Sequence, residues 1–188
     1  MNHDGITDFQ FNLASTFPAC TGHASLVTMQ RVGDAVIGGP IGTLAGPYAS
    51  ALVKGAKIGP SAHFAGAGGF AHIESSFFEY CSGSDSQRLG GHWGGNATNR
   101  YLGVKFLIRG KTHYGWIRLT VNFPSQFGAP RTATITGYAY ETVANKRITA
   151  GSTSDAATRS EMQQDSKSRQ PSLGMLARGA ESVPFWRR

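Results

Sequence analysis

Residues 101–123, YLGVKFLIRGKTHYGWIRLTVNF, decide the fold class that the sequence predicts. In the first half of this stretch the even positions are apolar, and from Ile117 to Phe123 the odd positions are apolar. An apolar residue at every second position is typical of a strand that buries one face. Arg109-Gly110-Lys111 lies between the two halves and is a short turn. The stretch therefore predicts an antiparallel hairpin.

Further strand signals lie on both sides of this hairpin. Residues 132–140 alternate Thr or Tyr with small or apolar residues, and residues 9–13 alternate apolar with polar residues. Residues 24–32 and 71–80 are rich in Val, Ile and Phe, while repeated Gly and Pro in residues 38–69 interrupt any long helix. We therefore predict an all-β fold, an antiparallel β-sandwich of the jelly-roll-like kind.

The composition agrees with a single domain followed by a tail. The chain has 188 residues, with 25 Gly, 8 Pro and only 15% charged residues, which argues against a coiled coil or a helical bundle. We predict a sandwich domain at 1–151, a disordered polar linker at 152–170 and a short apolar segment at 171–188. Since no run of 18 apolar residues is present, the sequence predicts no transmembrane span.

The positive charge is concentrated in one part of the chain. Residues 100–151 contain eight basic residues and one acidic residue, whereas residues 1–99 contain four basic and six acidic residues. Two interpretations are open: the bases occupy the solvent face of a sheet, or the segment 100–147 attracts an anionic polymer or DNA. Because no nucleic-acid motif accompanies the charge, we expect no specific nucleic-acid partner.

Three motifs resemble a known family. They are HYGWIRL at 113–119, GYAYET at 137–142, and SLGMLA at 172–177 with Trp186-Arg187-Arg188 at the end. Together they resemble the secreted bacterial β-proteins that carry exosortase-type (PEP-CTERM) C-terminal signals. The resemblance implies export, a β-sandwich, and attachment to the cell envelope or extracellular matrix, without a known reaction. Because Arg178 and Glu181 interrupt the apolar tail, we interpret 171–188 as a degenerate sorting segment.

An exported protein normally starts with a basic patch and an apolar stretch of about 7–15 residues. This chain instead starts Met1-Asn2-His3-Asp4-Gly5. We therefore expect that the signal peptide is missing from this reading frame and that the true start lies upstream. The expected location of the protein is extracellular or in the cell envelope.

The first eight residues resemble part of a calcium-binding loop. Asn2, Asp4 and Asp8 supply side-chain oxygens, the carbonyl of Ile6 supplies a backbone ligand, and Gly5 allows a sharp turn. Because Ca²⁺ prefers six to eight oxygen ligands, this spacing predicts calcium as a cofactor. The alternative interpretation is a polar turn before the strand at Phe9.

Cys20 and Cys81 are the two cysteines of the chain. In an exported protein an even number of cysteines indicates a disulfide, here closing a loop of about sixty residues and contributing about 4 kcal/mol in the entropy model. In a cytoplasmic protein the same residues are more often small buried thiols. Both interpretations stay open at the level of the sequence.

An aromatic strip is the candidate ligand-binding site. We expect Tyr114, Trp116, Arg118, Tyr138 and Tyr140 to share one exposed face. Aromatic rings stack on the faces of sugars while Arg and Thr bond to hydroxyl groups, so the strip favours polysaccharide as the partner. Since Trp and Tyr are usually well buried, the alternative is that another part of the chain covers this face.

The sequence does not contain a G-x-S-x-G or H-E-x-x-H motif. We therefore predict a non-catalytic envelope or matrix protein. The alternative is a glycan-active enzyme, which requires the fold to bring together carboxylates such as Glu74, Glu79 and Asp85 at about 5–10 Å. His72 and Glu74, at i and i+2, are expected on the same face of one strand.

Overall fold

The computed structural model describes residues 7–16, 20–40, 46–66, 69–79, 86–124 and 131–153. These residues form β-strands and turns and include no helix long and apolar enough to cross a membrane. The all-β prediction is confirmed. The strands are β1 Phe9–Thr16, β2 Thr21–Gln30, β3 Ala35–Pro40, β4 Pro47–Ala49, β5 Lys57–Ile58, β6 Phe64–Ala65, β7 Phe70–Glu79, β8 Ser86–Gly91, β9 Asn96–Ile108, β10 Lys111–Asn122, β11 Thr132–Tyr140 and β12 Ile148–Thr149.

The hairpin predicted from residues 101–123 is present as β9 and β10. Lys111 lies opposite Ile108 across the turn, and the antiparallel ladder continues to Asn122 opposite Asn96. Strand β11 then pairs antiparallel with β10, so β9, β10 and β11 form a meander. Arg109 and Gly110 have positive φ angles of 50° and 74°, as a two-residue hairpin turn requires.

Most strands belong to one sheet that curls on itself. Its order is β1-β2-β7-β4-β3-β9-β10-β11, with β6 paired to β3 and β8 paired to β7. The pairing of β4 with β7 is parallel, and the other pairings between described strands are antiparallel. The finer description as a jelly-roll-like sandwich stays a prediction.

Both halves of the curled sheet contribute to the main core. Ile73 of β7 on one side and Leu102 and Phe106 of β9 on the other are completely buried. The alternation that predicted the hairpin explains this packing, because the even positions of β9 all point inward. Burying each such side chain contributes about 1.5–3 kcal/mol.

A second, smaller core lies on the side of β9 and β10 that points away from the main core. It is covered by β5 and β12, which pair with each other, and its buried members are Ile58, Tyr101, Tyr114, Trp116, Ile148 and Ala150. The indole Nε1 of Trp116 donates to the carbonyl of Ser152 at 2.9 Å. Ser152, the first residue of the predicted linker, is therefore tied to the β-domain. Residues 154–188 lie outside the described residues, so the predicted disorder of the tail is not tested.

Candidate ligand-binding site

The candidate site lies on the face of β2, β7 and β8 that points away from the main core, here called the outer face. His23 of β2 lies opposite Phe77 of β7, which lies opposite Arg88 of β8. Residues paired across a sheet point to the same side, with neighbouring strands about 4.8 Å apart. An imidazole, an aromatic ring and a guanidinium group therefore form one row. Phe77 is 45% exposed despite its size.

The next row of the same face contains only small residues. Ser25, Ser75 and Gly90 lie side by side in β2, β7 and β8. The Ser75 hydroxyl donates to the carbonyl of Gly90 at 3.2 Å and lies 2.8 Å from the Tyr48 hydroxyl. Because these residues have short side chains or none, they form the floor of a depression beside the longer side chains of His23, Phe77 and Arg88.

Tyr48 and His72 border the depression on its other side. Tyr48 of β4 pairs with His72 of β7 in the parallel ladder, and their rings lie 5.1 Å apart at 31°. Phe70 contacts the His72 ring edge-on at 5.6 Å. The resulting pocket has a volume of about 350 Å³, which lies at the lower end of the range of about 300–1,000 Å³ for small-molecule sites.

His72 has an unusual environment for a histidine. Its Nδ1 is buried and has no hydrogen-bond partner among the described residues. Burial lowers the pKa of His72 below its usual value, and the nearby His23 lowers it further. His72 therefore lines the pocket as an uncharged ring whose Nδ1 is buried.

A β-bulge places His72 on the outer face. Leu26 lies opposite Glu74, but the next residue of β2, Val27, lies opposite His72, so Ile73 is an extra residue in β7. A bulge interrupts the alternation of faces. His72 and Glu74 consequently point to opposite sides of the sheet, and the expectation that they share one face was wrong.

Glu74 points to the core and has a structural role there. It is 1% exposed, and the backbone N–H groups of Trp93, Gly94 and Gly95 donate to its carboxylate, the first at 3.1 Å. Gly91 faces it closely, since a Cβ added at that position would lie 2.5 Å from Oε2. Burial raises the pKa of Glu74 to about 7, while the three hydrogen bonds oppose the rise.

The structure does not place the five residues of the predicted aromatic strip on one exposed face. Ile117 lies opposite Tyr138, so Tyr138 and Tyr140 lie on the side of β10's odd positions, away from Tyr114 and Trp116. Tyr114 and Trp116 are each only 4% exposed beneath β5 and β12. The prediction of a shared platform was wrong, because the register of β11 was not readable from its alternation alone.

The other two members of the strip are also engaged. The Arg118 guanidinium donates to the Thr136 hydroxyl at 2.9 Å and to the Thr136 carbonyl at 2.7 Å. Tyr140 packs edge-on against Phe106 at 5.6 Å. Only Tyr138, which is 49% exposed, presents much of its ring to solvent.

The predicted calcium loop falls largely outside the described residues. Asn2, Asp4 and Ile6 are not described, and Asp8 is buried with Oδ1 3.9 Å from the Arg31 guanidinium. Among the described residues there is no group of three or more His, Cys, Asp or Glu that would hold a metal ion. The calcium prediction stays a prediction.

Cys20 is disulfide-bonded. It directly precedes β2, where Thr21 lies opposite Glu79 at the end of β7. Cys81, the second cysteine of the chain, comes two residues after Glu79 in the sequence and lies outside the described residues.

The carboxylates named for a glycan-active enzyme do not form a described pair. Glu74 points to the core, while Glu79 shares the outer face with Phe77 and lies five residues further along β7. Asp85 lies outside the described residues. Glu74 is held on the core side by three backbone N–H groups and does not face the pocket.

The charges of the described residues are sorted by burial. Four of the five acidic residues are buried: Asp8, Asp34, Glu74 and Glu141; Glu79 is exposed. All twelve basic residues are exposed or half-buried. Asp34 accepts a hydrogen bond from the Leu107 N–H at 3.1 Å, and Glu141 lies 3.2 Å from the Lys146 ammonium group. Among the described residues, the charged groups that meet the solvent are therefore almost all basic.

The pocket residues were not identified from the sequence. His23, Tyr48, Phe77 and Arg88 are separated by up to 65 positions and meet only through the pairing of β2, β7, β8 and β4. The sequence signals for them are that Phe77 lies within the strand candidate 71–80 and that His23 directly precedes the candidate 24–32. Neither signal indicates which face of the strand a side chain occupies.

The chain matches no protein-family model, no curated protein and no solved structure with which it was compared. A function for this protein therefore has to follow from its own geometry and charge.

Proposed function

We propose that this protein is a non-catalytic, exported bacterial protein of the envelope or extracellular matrix that binds acidic polysaccharide. The observation that carries the proposal is the sorting of charge. Twelve basic residues of the described part lie at or near the surface, and four of its five acids are buried. Such a surface attracts a polyanion along its length and repels few of its charges.

The basic residues are spread over several elements. Lys57 lies on β5, Lys111 starts β10, and Lys54 and Arg147 are exposed next to β5 and β12. Single exposed contacts of this kind contribute little, about 0–1 kcal/mol each. A long polyanion gains from many of them at once, which favours a polymer over a small free anion.

The disulfide at Cys20 supports export. Disulfides persist in oxidising compartments such as the periplasm and the cell surface and are rare in the cytoplasm. The three motifs that resemble exosortase-sorted proteins point in the same direction. We therefore place the protein outside the cytoplasm in this proposal.

Binding, as opposed to hydrolysis, is favoured by the place of Glu74. A glycosidase needs two carboxylates that flank one sugar bond. Glu74 instead holds the backbone of residues 93–95 from the core side. The alternative of a glycan-active enzyme that uses this residue is therefore not the one we propose.

The test is retention on three immobilised polymers: polygalacturonate, neutral dextran and double-stranded DNA. We expect retention on polygalacturonate at about 50 mM salt, loss of most of it at about 500 mM because screening weakens exposed charge pairs, and no retention on dextran. No retention on polygalacturonate would refute the proposal. Stronger retention on DNA than on polygalacturonate at equal salt would favour the DNA alternative instead.

Charge variants make this test specific. The triple variant Lys54→Gln, Lys57→Gln, Arg147→Gln should reduce the affinity for polygalacturonate at least about fivefold and decrease its salt dependence. The control is Glu79→Gln, which neutralises the exposed acid and should leave binding unchanged or strengthen it. Equal losses in both variants would show that charge is not the determinant.

A further inference from the structure

We infer that the pocket between Phe77 and His72 is a subsite for a single sugar residue that carries a carboxylate. This inference rests on the proposed function, which supplies the acidic polysaccharide, and it assigns the position where one unit of the polymer is recognised. The argument starts from the shape of the outer face of β2, β7 and β8.

The shape fits one flat ring. The floor of Ser75 and Gly90 lies one row away from Phe77, and successive residues on one face of a strand are about 7 Å apart. His72 and Tyr48 close the opposite side. A depression of about 350 Å³ with walls on two sides and an open mouth accommodates one residue of a chain that continues over the surface.

Phe77 provides an exposed aromatic ring beside this floor. Nearly half of its surface is accessible although it occupies the middle of a row between His23 and Arg88. Exposing a ring of this size to water is unfavourable in free energy, and covering it with an apolar face of a ligand is favourable. The C–H face of a pyranose ring is such a surface.

Arg88 determines the charge of the ligand. It lies opposite Phe77 on the same face and is exposed. The β7–β8 ladder contains two acids: Glu79, one row beyond Phe77 on the same face, and Glu74, which points to the core. A guanidinium group binds a planar carboxylate with two parallel hydrogen bonds, which distinguishes it from an ammonium group. A neutral sugar leaves this group unused.

Ser75 provides a polar atom for the ring hydroxyls. Its hydroxyl donates to the Gly90 carbonyl at 3.2 Å and lies 2.8 Å from the Tyr48 hydroxyl, so its position is fixed. A hydroxyl oxygen has two lone pairs, so the Ser75 oxygen can accept a hydrogen bond from a sugar hydroxyl. The pocket thus combines stacking, charge recognition and a hydroxyl acceptor.

The experiment is an NMR titration of the whole chain with sodium galacturonate, with methyl galactoside and galactose 6-sulfate as comparison ligands. We expect saturable shifts centred on the amides of β7 and β8 with galacturonate and none that saturate with the neutral sugar. Saturation by galactose 6-sulfate with equal affinity would overturn the carboxylate assignment. Shifts that are unsaturable, or that lie elsewhere, would overturn the site.

Two variants test the residues. Arg88→Gln should weaken galacturonate binding about tenfold or more, since hydrogen bonds between charged groups are the stronger kind. Phe77→Ala should weaken it about fivefold, with the fold intact because the side chain is already half exposed. Lys111→Gln, an exposed base at the start of β10, is the matched control and should change affinity less than about twofold.

The two proposals fail separately. If the protein is retained on polygalacturonate but Arg88→Gln has no effect on galacturonate binding, the subsite is refuted and the polymer binding stands. If galacturonate binds at β7 and β8 but the polymer is not retained, the subsite stands and the proposed function is refuted.

Discussion

The ionisation of Glu74 affects the stability of the fold. Its carboxylate is buried on the core side of β7 and holds the backbone of residues 93–95. Burial raises its pKa from 4.5 to about 7. Between these values the unfolded chain loses the proton before the folded one does, so the free energy of unfolding decreases as pH rises through this range. Asp34, whose pKa burial raises to about 6, acts in the same direction.

Glu74→Gln should flatten this pH dependence. Between pH 4.5 and pH 7.5 the ionisation of Glu74 should lower the free energy of unfolding of the wild type by about 3 kcal/mol. In the variant, only the decrease caused by Asp34 should remain. Urea unfolding at several pH values measures both slopes. Glu79→Gln, at an exposed carboxylate of the same strand, is the control and should follow the wild type. A Glu74→Gln slope as steep as the wild type's would contradict the assignment.

The pairing of whole elements decides which side chains are exposed. Strand β10 alternates as its sequence predicts. However, β5 and β12 cover the side of β10 that points away from the main core, so Tyr114 and Trp116 become core residues. Trp116 packs edge-on against Tyr101 at 5.2 Å and donates to Ser152. Trp116 therefore holds the covering strands β5 and β12 in place, although the sequence predicted it as a ligand-binding residue.

Trp116→Phe should destabilise the domain by about 1–3 kcal/mol, because it removes the hydrogen bond to Ser152 and part of the buried ring. Thermal unfolding monitored by circular dichroism measures the loss. Tyr138→Phe changes an exposed ring on the other face of the same meander and should stay within about 0.5 kcal/mol of the wild type. Equal effects of the two substitutions would indicate that Trp116 is not an anchor.

At the scale of the molecule, the disulfide at Cys20 supports a fold in which strands distant in sequence pair with one another. Neighbours in the sheet such as β3 and β9, or β2 and β7, are far apart in sequence. Closing such loops costs entropy, which a disulfide removes from the unfolded chain in advance. Cys20, directly before β2, is the described cysteine of that disulfide.

Cys20→Ser should lower the free energy of unfolding by about 2–5 kcal/mol under oxidising conditions. Guanidinium unfolding of both proteins, with and without a reducing agent, provides the measurement and its control. Once reduced, the wild type should unfold at nearly the same concentration as the variant. If the oxidised wild type is no more stable than the variant, the disulfide does not stabilise this domain.

Prediction from sequence succeeded where the signal is local and failed where it depends on register. The turn at Arg109-Gly110 and the inward positions of β9 and β10 follow from alternation within one hairpin. The extra residue Ile73 in β7 leaves no mark on the apolar pattern, yet it moves His72 to the outer face. A shift of one residue exchanges the two faces of a strand, so such errors affect whole sets of candidate residues.

The sequence by itself determined the all-β class, the β9–β10 hairpin and the excess of basic residues. Each of these features depends on composition or on residues a few positions apart, because side chains along one strand alternate between its two faces. Only the tertiary structure decided that four of the five described acids are buried, that Trp116 is covered, and that His23, Phe77 and Arg88 form one row. These outcomes depend on which distant strands pair and in which register, and local alternation carries no information on either.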